Sequence, residues 1–226
     1  PGPFEFTGKH YEIRYVNTWP RPVQQPHPEI WIPGVGSLET MEFVARRRYA
    51  YMGIPYFHIS VFERTFRLFR EACQREGYEA DPSQMGWLEP IFVAETDAEA
   101  RRLYEEHFFY FVKRLLPGID IQPPGYTSLR SYESMLKGMN TFAINLETWD
   151  QVEEGVYVGS PETVLEKLTE NLERLGTGNL LGLFQLGTLP ADLTRRNLEL
   201  FASEVMPKLR ERFPAGQPVA RTAEVR

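Results

Sequence analysis

One cysteine, Cys73, stands in 226 residues, so no intrachain disulfide can form and nothing points to an oxidising compartment. Positive charge is also scarce: 25 Lys and Arg face 31 Asp and Glu, a net charge of −6. That balance gives no basic footprint for nucleic acid. No apolar run approaches the roughly 18 residues of a membrane span. The opening Pro1-Gly2-Pro3-Phe4 lacks the basic and apolar regions of a signal peptide, so the expected location is the cytoplasm. Metal chemistry has little to work with. The histidines, His10, His27, His58 and His107, show no ligand spacing and no H-E-x-x-H pattern, so no metal site is expected. There is no G-x-S-x-G elbow for a serine hydrolase and no Walker loop, and Gly34-Val35-Gly36 lacks the third glycine of a dinucleotide fingerprint.

What is present suits a folded globular protein, with 42% hydrophobic and 25% charged residues. At roughly 150 residues per domain, the length fits one large domain or two small ones. The chain opens at proline and enters at once into an aromatic, glycine-bearing segment, which we read as part of a longer polypeptide; N-terminal processing of a complete small protein is the alternative. Pro20, Pro22, Pro26 and Pro28 forbid a helix and a central strand over residues 1–28. That stretch reads as an extended arm with a short hairpin across Phe4–Tyr15. Glu29–Ile32 and Ile54–Ile59 read as short strands, Gly86–Ala94 and Leu180–Leu186 as buried ones. Helices are expected over Leu38–Tyr49 with Ser37 as N-cap, over 61–76 stopping at Gly77, and from the Thr96-x-x-Glu99 capping box to about Leu116. Two more follow, from Ser160-Pro161-Glu162 to Gly176 and over Asp192–Arg212, the latter with Leu198, Phe201, Val205 and Leu209 inward. Residues 117–157 read as irregular. The alternation is that of a parallel α/β fold. About four βα units make half of a (β/α)8 barrel; an open doubly wound sheet is the alternative.

The hexapeptide Val35-Gly36-Ser37-Leu38-Glu39-Thr40 recurs as Val158-Gly159-Ser160-Pro161-Glu162-Thr163. Each is a Gly-Ser turn into a helix, where outward N–H groups and a serine hydroxyl suit an anion, a phosphate above all; each also suits a plain N-cap. Position separates the copies. The first follows a strand directly and so lies at a strand's C-terminal end, where α/β enzymes bind ligands. The second is expected to follow a loop, and Pro161 removes a donor. His58, at the end of the expected strand 54–59, would face the same rim; a hydrogen-bonded structural role is the alternative. Cys73 and the cluster Tyr104, Phe108, Phe109, Tyr110, Phe111 read as core. A loop as long as 117–157 is usually a lid or disordered.

Several blocks, in their order and spacing, carry a resemblance. They are Pro28-Glu29-Ile30-Trp31-Ile32-Pro33-Gly34 with Gly36-Ser37-Leu38-Glu39-Thr40, the run Ala94–Ala100, Val158-Gly159-Ser160-Pro161-Glu162, and Leu200–Pro207. Together they resemble the bacterial luciferase-like flavin-dependent monooxygenases. Phe6-x-Gly8-x-x-Tyr11 and Pro20-x-Pro22-Val23-Gln24 resemble the connection before the fifth barrel strand of that family. The resemblance implies strands five to eight of a TIM barrel within a partial domain over 1–212, followed by a flexible tail over 213–226. Residues 95–157 would be a mobile insertion after strand seven, covering the barrel mouth. Its aromatics suit a hydrophobic substrate wall, with Tyr126 and His58 as pocket residues. The cofactor phosphate would lie at Gly34, Gly36, Ser37 and Thr40. In many relatives a polar residue stands where Gly36 does, so backbone would replace a side-chain contact. The implied reaction is monooxygenation of a small hydrophobic substrate by reduced flavin (FMN) and O2, with a flavin reductase as partner; some relatives use the deazaflavin F420 for hydride transfer instead. The family's catalytic residues lie mostly in the first four strands, so none is assigned here. Two other readings stand beside this one: a non-catalytic flavin-binding or structural half-barrel, and an unrelated small α/β binding protein. An open half-barrel exposes strand edges and an apolar face, so a homo-oligomer is expected.

Overall fold

The proline-rich opening forms no helix. In the computed structural model, which describes residues 2–55, 58–115 and 148–214, it is one of two units, Pro1–Ile30 and Trp31–Arg226. The first unit is a hairpin of β1 (Phe4–Thr7) and β2 (Glu12–Val16), antiparallel with Thr7 opposite Glu12. Its turn is closed by the Gly8 N–H donating to the Tyr11 carbonyl at 2.8 Å. Tyr11, Tyr15 and Trp19 are exposed.

The second unit alternates strand and helix. Its first half runs β3 (Trp31–Gly34), α1 (Leu38–Arg47), β4 (Ala50–Gly53), α2 (Ile59–Arg75), β5 (Met85–Val93) and α3 (Asp97–Tyr110). It continues with α4 (Trp149–Val152), β6 (Tyr157–Gly159), α5 (Pro161–Leu175), β7 (Asn179–Leu183), α6 (Ala191–Leu200) and α7 (Met206–Arg212). A π-helical turn, Phe201–Val205, joins the last two helices. Every strand pair in this unit is parallel: β3 with β4, β4 with β5, and β5 with both β6 and β7.

Alternating residues send side chains to opposite faces of the sheet. Tyr51, Met85, Trp87, Ile91 and Val93 point to one face and are buried with Met41, Val44, Phe62, Phe66, Phe69, Leu168 and Leu172 from α1, α2 and α5. Trp31, Met52, Leu88 and Leu181 point to the other and are only half-buried. Gly86 lets the Trp31 ring cross that face, since a Cβ there would meet the ring and lie 3.0 Å from Leu181. Parallel sheets are normally covered on both sides. One finished face and one half-covered face are what part of a barrel presents, and only part of a barrel is present. A second, smaller core gathers Phe92, Tyr104, Phe108, Trp149, Val158 and Leu186.

Several expectations need correction. The strand placed at 54–59 is β4, Ala50–Gly53, because α1 stops early: Arg48 takes a left-handed conformation (φ 56°) that ends the helix and frees Ala50-Tyr51-Met52 to pair. His58 is the N-cap of α2 rather than a strand residue. The strand at 29–32 runs from Trp31 to Gly34, and that at 180–186 from Asn179 to Leu183. Residues 157–159, assigned to an irregular or loop segment, form β6. Leu198 is exposed and Asn197 is fully buried, because the Asn197 side chain takes the inward place. Its Oδ1 accepts from the Val93 N–H at 2.8 Å, and its Nδ2 donates to the carbonyls of Ile91 at 2.9 Å and Phe184 at 3.2 Å. Segment 116–147 with Tyr126, and the tail from 215, lie outside the described residues.

Candidate functional site

Both Gly-Ser turns lie at the C-terminal ends of strands, the second directly after β6, so the expected distinction between them by position fails. Their partners distinguish them instead. At the second turn Ser160 caps α5, its Oγ accepting from the Thr163 N–H at 3.4 Å. Asp97, from the first turn of α3, then fills the helix end. Its Oδ1 accepts from the Ser160 N–H at 2.7 Å and its Oδ2 from the Thr163 hydroxyl at 3.1 Å. Gly159 leaves room for that carboxylate, since a Cβ would lie 2.7 Å from Asp97 Oδ1. The Ser160 N–H, helped by the Thr163 hydroxyl, holds the Asp97 carboxyl below its usual range. This helix end already has its anion, supplied by the chain itself.

The first turn is built differently. Gly34 ends β3 opposite Gly53 of β4, and the chain turns through Val35 and Gly36 to Ser37. Gly36 has φ +98°, a conformation that favours glycine, and a Cβ there would lie 3.3 Å from the buried Thr65 Oγ1. Its N–H donates to the Tyr51 hydroxyl at 3.1 Å. The contribution of Gly36 is therefore conformational, because its one backbone donor points into the protein. Burial pushes the Tyr51 phenol far above its ordinary range, so it stays neutral. Ser37 is the N-cap of the ten-residue helix α1. Its Oγ receives the Thr40 N–H at a long 3.5 Å, and its hydroxyl donates to Glu39 Oε2 at 3.2 Å. Ser37 and Thr40 are half-buried and Glu39 is exposed. The first-turn N–H groups of α1 lack intrahelical acceptors by geometry and carry the positive end of its dipole. By charge this helix end suits an anion such as a phosphate, with the Glu39 carboxylate opposing it.

His58 lies on the same C-terminal edge, past the end of β4. Its Nδ1 accepts from the Ser60 N–H at 3.3 Å and sits 2.7 Å from Ser60 Oγ, so the neutral ring carries its proton on Nε2. The structure thus brings Gly34, Gly36, Ser37 and Thr40 into one turn and places His58 on the neighbouring loop. Sequence reasoning missed Tyr51 and Asp97. Buried Glu89 was missed too; its Oε1 accepts from Trp87 Nε1 at 3.0 Å, and its charge, after burial, is a cause of the raised phenol of Tyr157. Among the described residues no group of three or more His, Cys, Asp or Glu is arranged to hold a metal, and no helix is long and apolar enough to cross a membrane.

The structure is similar to several solved structures. One is the monooxygenase RslO1 from Streptomyces bottropensis (TM-score 0.66, 20% identity, 92% of this chain and 56% of that one). Another is the oxygenating constituent of 3,6-diketocamphane monooxygenase from Pseudomonas putida, a type II Baeyer–Villiger monooxygenase in complex with FMN (0.63, 23%, 91% and 58%). A third is the coenzyme F420-dependent tetrahydromethanopterin reductase from Methanopyrus kandleri (0.61, 18%, 92% and 58%). At these identities the likeness speaks for the fold, and the chain spans somewhat more than half the length of each. No curated protein sequence matches. The sequence profile of the luciferase-like monooxygenases matches residues 2–178. With that match over most of its length, the chain belongs to the luciferase-like monooxygenase family.

Proposed function

We propose that this chain is the cofactor-phosphate half of a flavin-dependent monooxygenase, with its four parallel strands β3, β4, β5 and β7 as strands five to eight of the barrel. The observation that carries the reading is the Gly34–Thr40 turn: a preshaped strand-to-helix turn, at the strand end where α/β enzymes bind ligands, in the place where the family resemblance puts the flavin phosphate. Ser37 turns its hydroxyl proton from Glu39 to the phosphate and α1 gives its first-turn N–H groups, while Gly34 and Gly36 give the backbone shape and Thr40 flanks the site. Reduced FMN, when bound, supplies the oxygen chemistry with O2. The chain's own residues bind and orient it, and the apolar sheet face with Trp31, Met52, Leu88 and Leu181 offers a dry wall for a small hydrophobic substrate. His58, with its Nε2 proton, and Tyr126 are pocket candidates. A cytoplasmic homo-oligomer served by a flavin reductase completes the reading.

The F420-dependent neighbour favours a second reading, hydride transfer with a deazaflavin at the same turn. Titration of the complete polypeptide with FMN and with F420 separates the two. Ser37→Ala removes one donor to the phosphate, and its FMN dissociation constant is expected to rise about tenfold. An unchanged constant overturns the site.

A further inference from the structure

The two glycines of the turn share an explanation, and it is a side chain on the next strand. Tyr51 is fully buried on β4, stacked on Phe69 (5.6 Å between centroids, 24°) and edge-on to Phe66 (6.5 Å, 88°). Its ring is therefore fixed by the core, not by the turn. From that fixed position it makes two contacts with the β3–α1 connection. Its hydroxyl receives the Gly36 N–H at 3.1 Å, and its edge lies against Gly34, where a Cβ would be 3.0 Å from Oη and 3.2 Å from Cε2. Thr65 of α2 closes in on Gly36 from another element.

We propose that Tyr51 is the positioning residue of the phosphate turn. Resting on the phosphate-site reading above, the proposal adds how that site keeps its shape. The Ile54 N–H donates to the Gly34 carbonyl at 3.4 Å, and two residues on the Gly36 N–H turns away from the neighbouring strand's backbone to the Tyr51 hydroxyl, so the path of the turn is set by that side chain. With the Gly36 N–H anchored on a phenol that the core holds still, Ser37 and the first turn of α1 are held in place before a ligand arrives. Preorganisation of this kind acts on affinity by removing the ordering cost at binding. Tyr51 touches no ligand itself; it acts through the turn.

The test compares FMN with riboflavin, which lacks only the phosphate, by fluorescence titration of the complete polypeptide and its Tyr51→Phe variant. Phenylalanine keeps the ring and its packing and removes the acceptor. The preference for FMN over riboflavin is expected to fall about tenfold, with riboflavin affinity within about twofold of wild type. Gly34→Ala, which presses a methyl on the ring from the other side, is expected to shift the preference in the same direction and serves if Tyr51→Phe folds poorly. A retained preference in both variants overturns the proposal. So does equal weakening of both flavins, which marks a merely structural residue. A wild-type protein that binds the two flavins equally overturns the phosphate site itself, and the positioning role falls with it.

Discussion

Removing the carboxylate of Asp97 should loosen the contact between α3 and α5 without touching either core. The side chain makes two hydrogen bonds, at 2.7 and 3.1 Å, to the end of α5. A charge-assisted hydrogen bond contributes about 1.5–3 kcal/mol when shielded, and a surface charge at a helix N-terminus about 0.3–1 kcal/mol. Asp97 is exposed, so solvent screening takes the contribution below those shielded figures, and Asp97→Ala is expected to cost about 1 kcal/mol. With a urea m-value of about 3 kcal/mol/M, the midpoint should fall by roughly 0.3 M. The pH dependence has a definite sign. The folded carboxyl lies below its ordinary range, so the stabilisation is complete above about pH 4 and is lost as pH falls through the lowered value. The difference between wild type and Asp97→Ala should therefore be full at pH 7 and shrink in strong acid. Vacating the turn should also let sulfate raise the melting temperature of the variant more than that of wild type. An unchanged midpoint, or a deficit of the same size on both sides of the titration, would refute the account of the second turn as self-filled.

Two further outcomes can be checked. Asn197→Ala leaves the Val93 N–H and the Ile91 and Phe184 carbonyls without their buried partner; at about 1–3 kcal/mol per orphaned group, thermal denaturation should show a loss of at least about 3 kcal/mol. Glu39→Gln removes a negative charge beside the Ser37 hydroxyl, so FMN titration should show about two- to fivefold tighter binding, whereas weaker binding would count against a phosphate at this turn.

Much of the repeat was readable because it is local. Phe62, Phe66 and Phe69 mark their helix by spacing alone, and Thr96, Ser160 and Gly176 cap theirs as expected. The order of short motifs led to the family, which the profile match establishes. What escaped depends on distance along the chain or on broken patterns. β4 was hidden because the expected helix ran on to Tyr49, leaving no room for a strand before Gly53, whereas a non-glycine residue, Arg48, ends α1 two residues before Ala50. β6 has three residues, too few for a period. The phase of α6 is set by one buried amide, Asn197, against the hydrophobic count. Asp97 reaches Ser160 across 63 positions, and no spacing rule connects an aspartate with the turn it fills.

The nine-residue strand β5 contributes to both hydrophobic clusters, with Trp87, Ile91 and Val93 in the larger and Phe92 in the smaller. Side chains of opposite parity thus hang from one backbone into separate compartments. Softening either compartment tugs on the rung that supports its counterpart, so the pair should melt as one cooperative block, with the amides of this shared rail exchanging last with solvent.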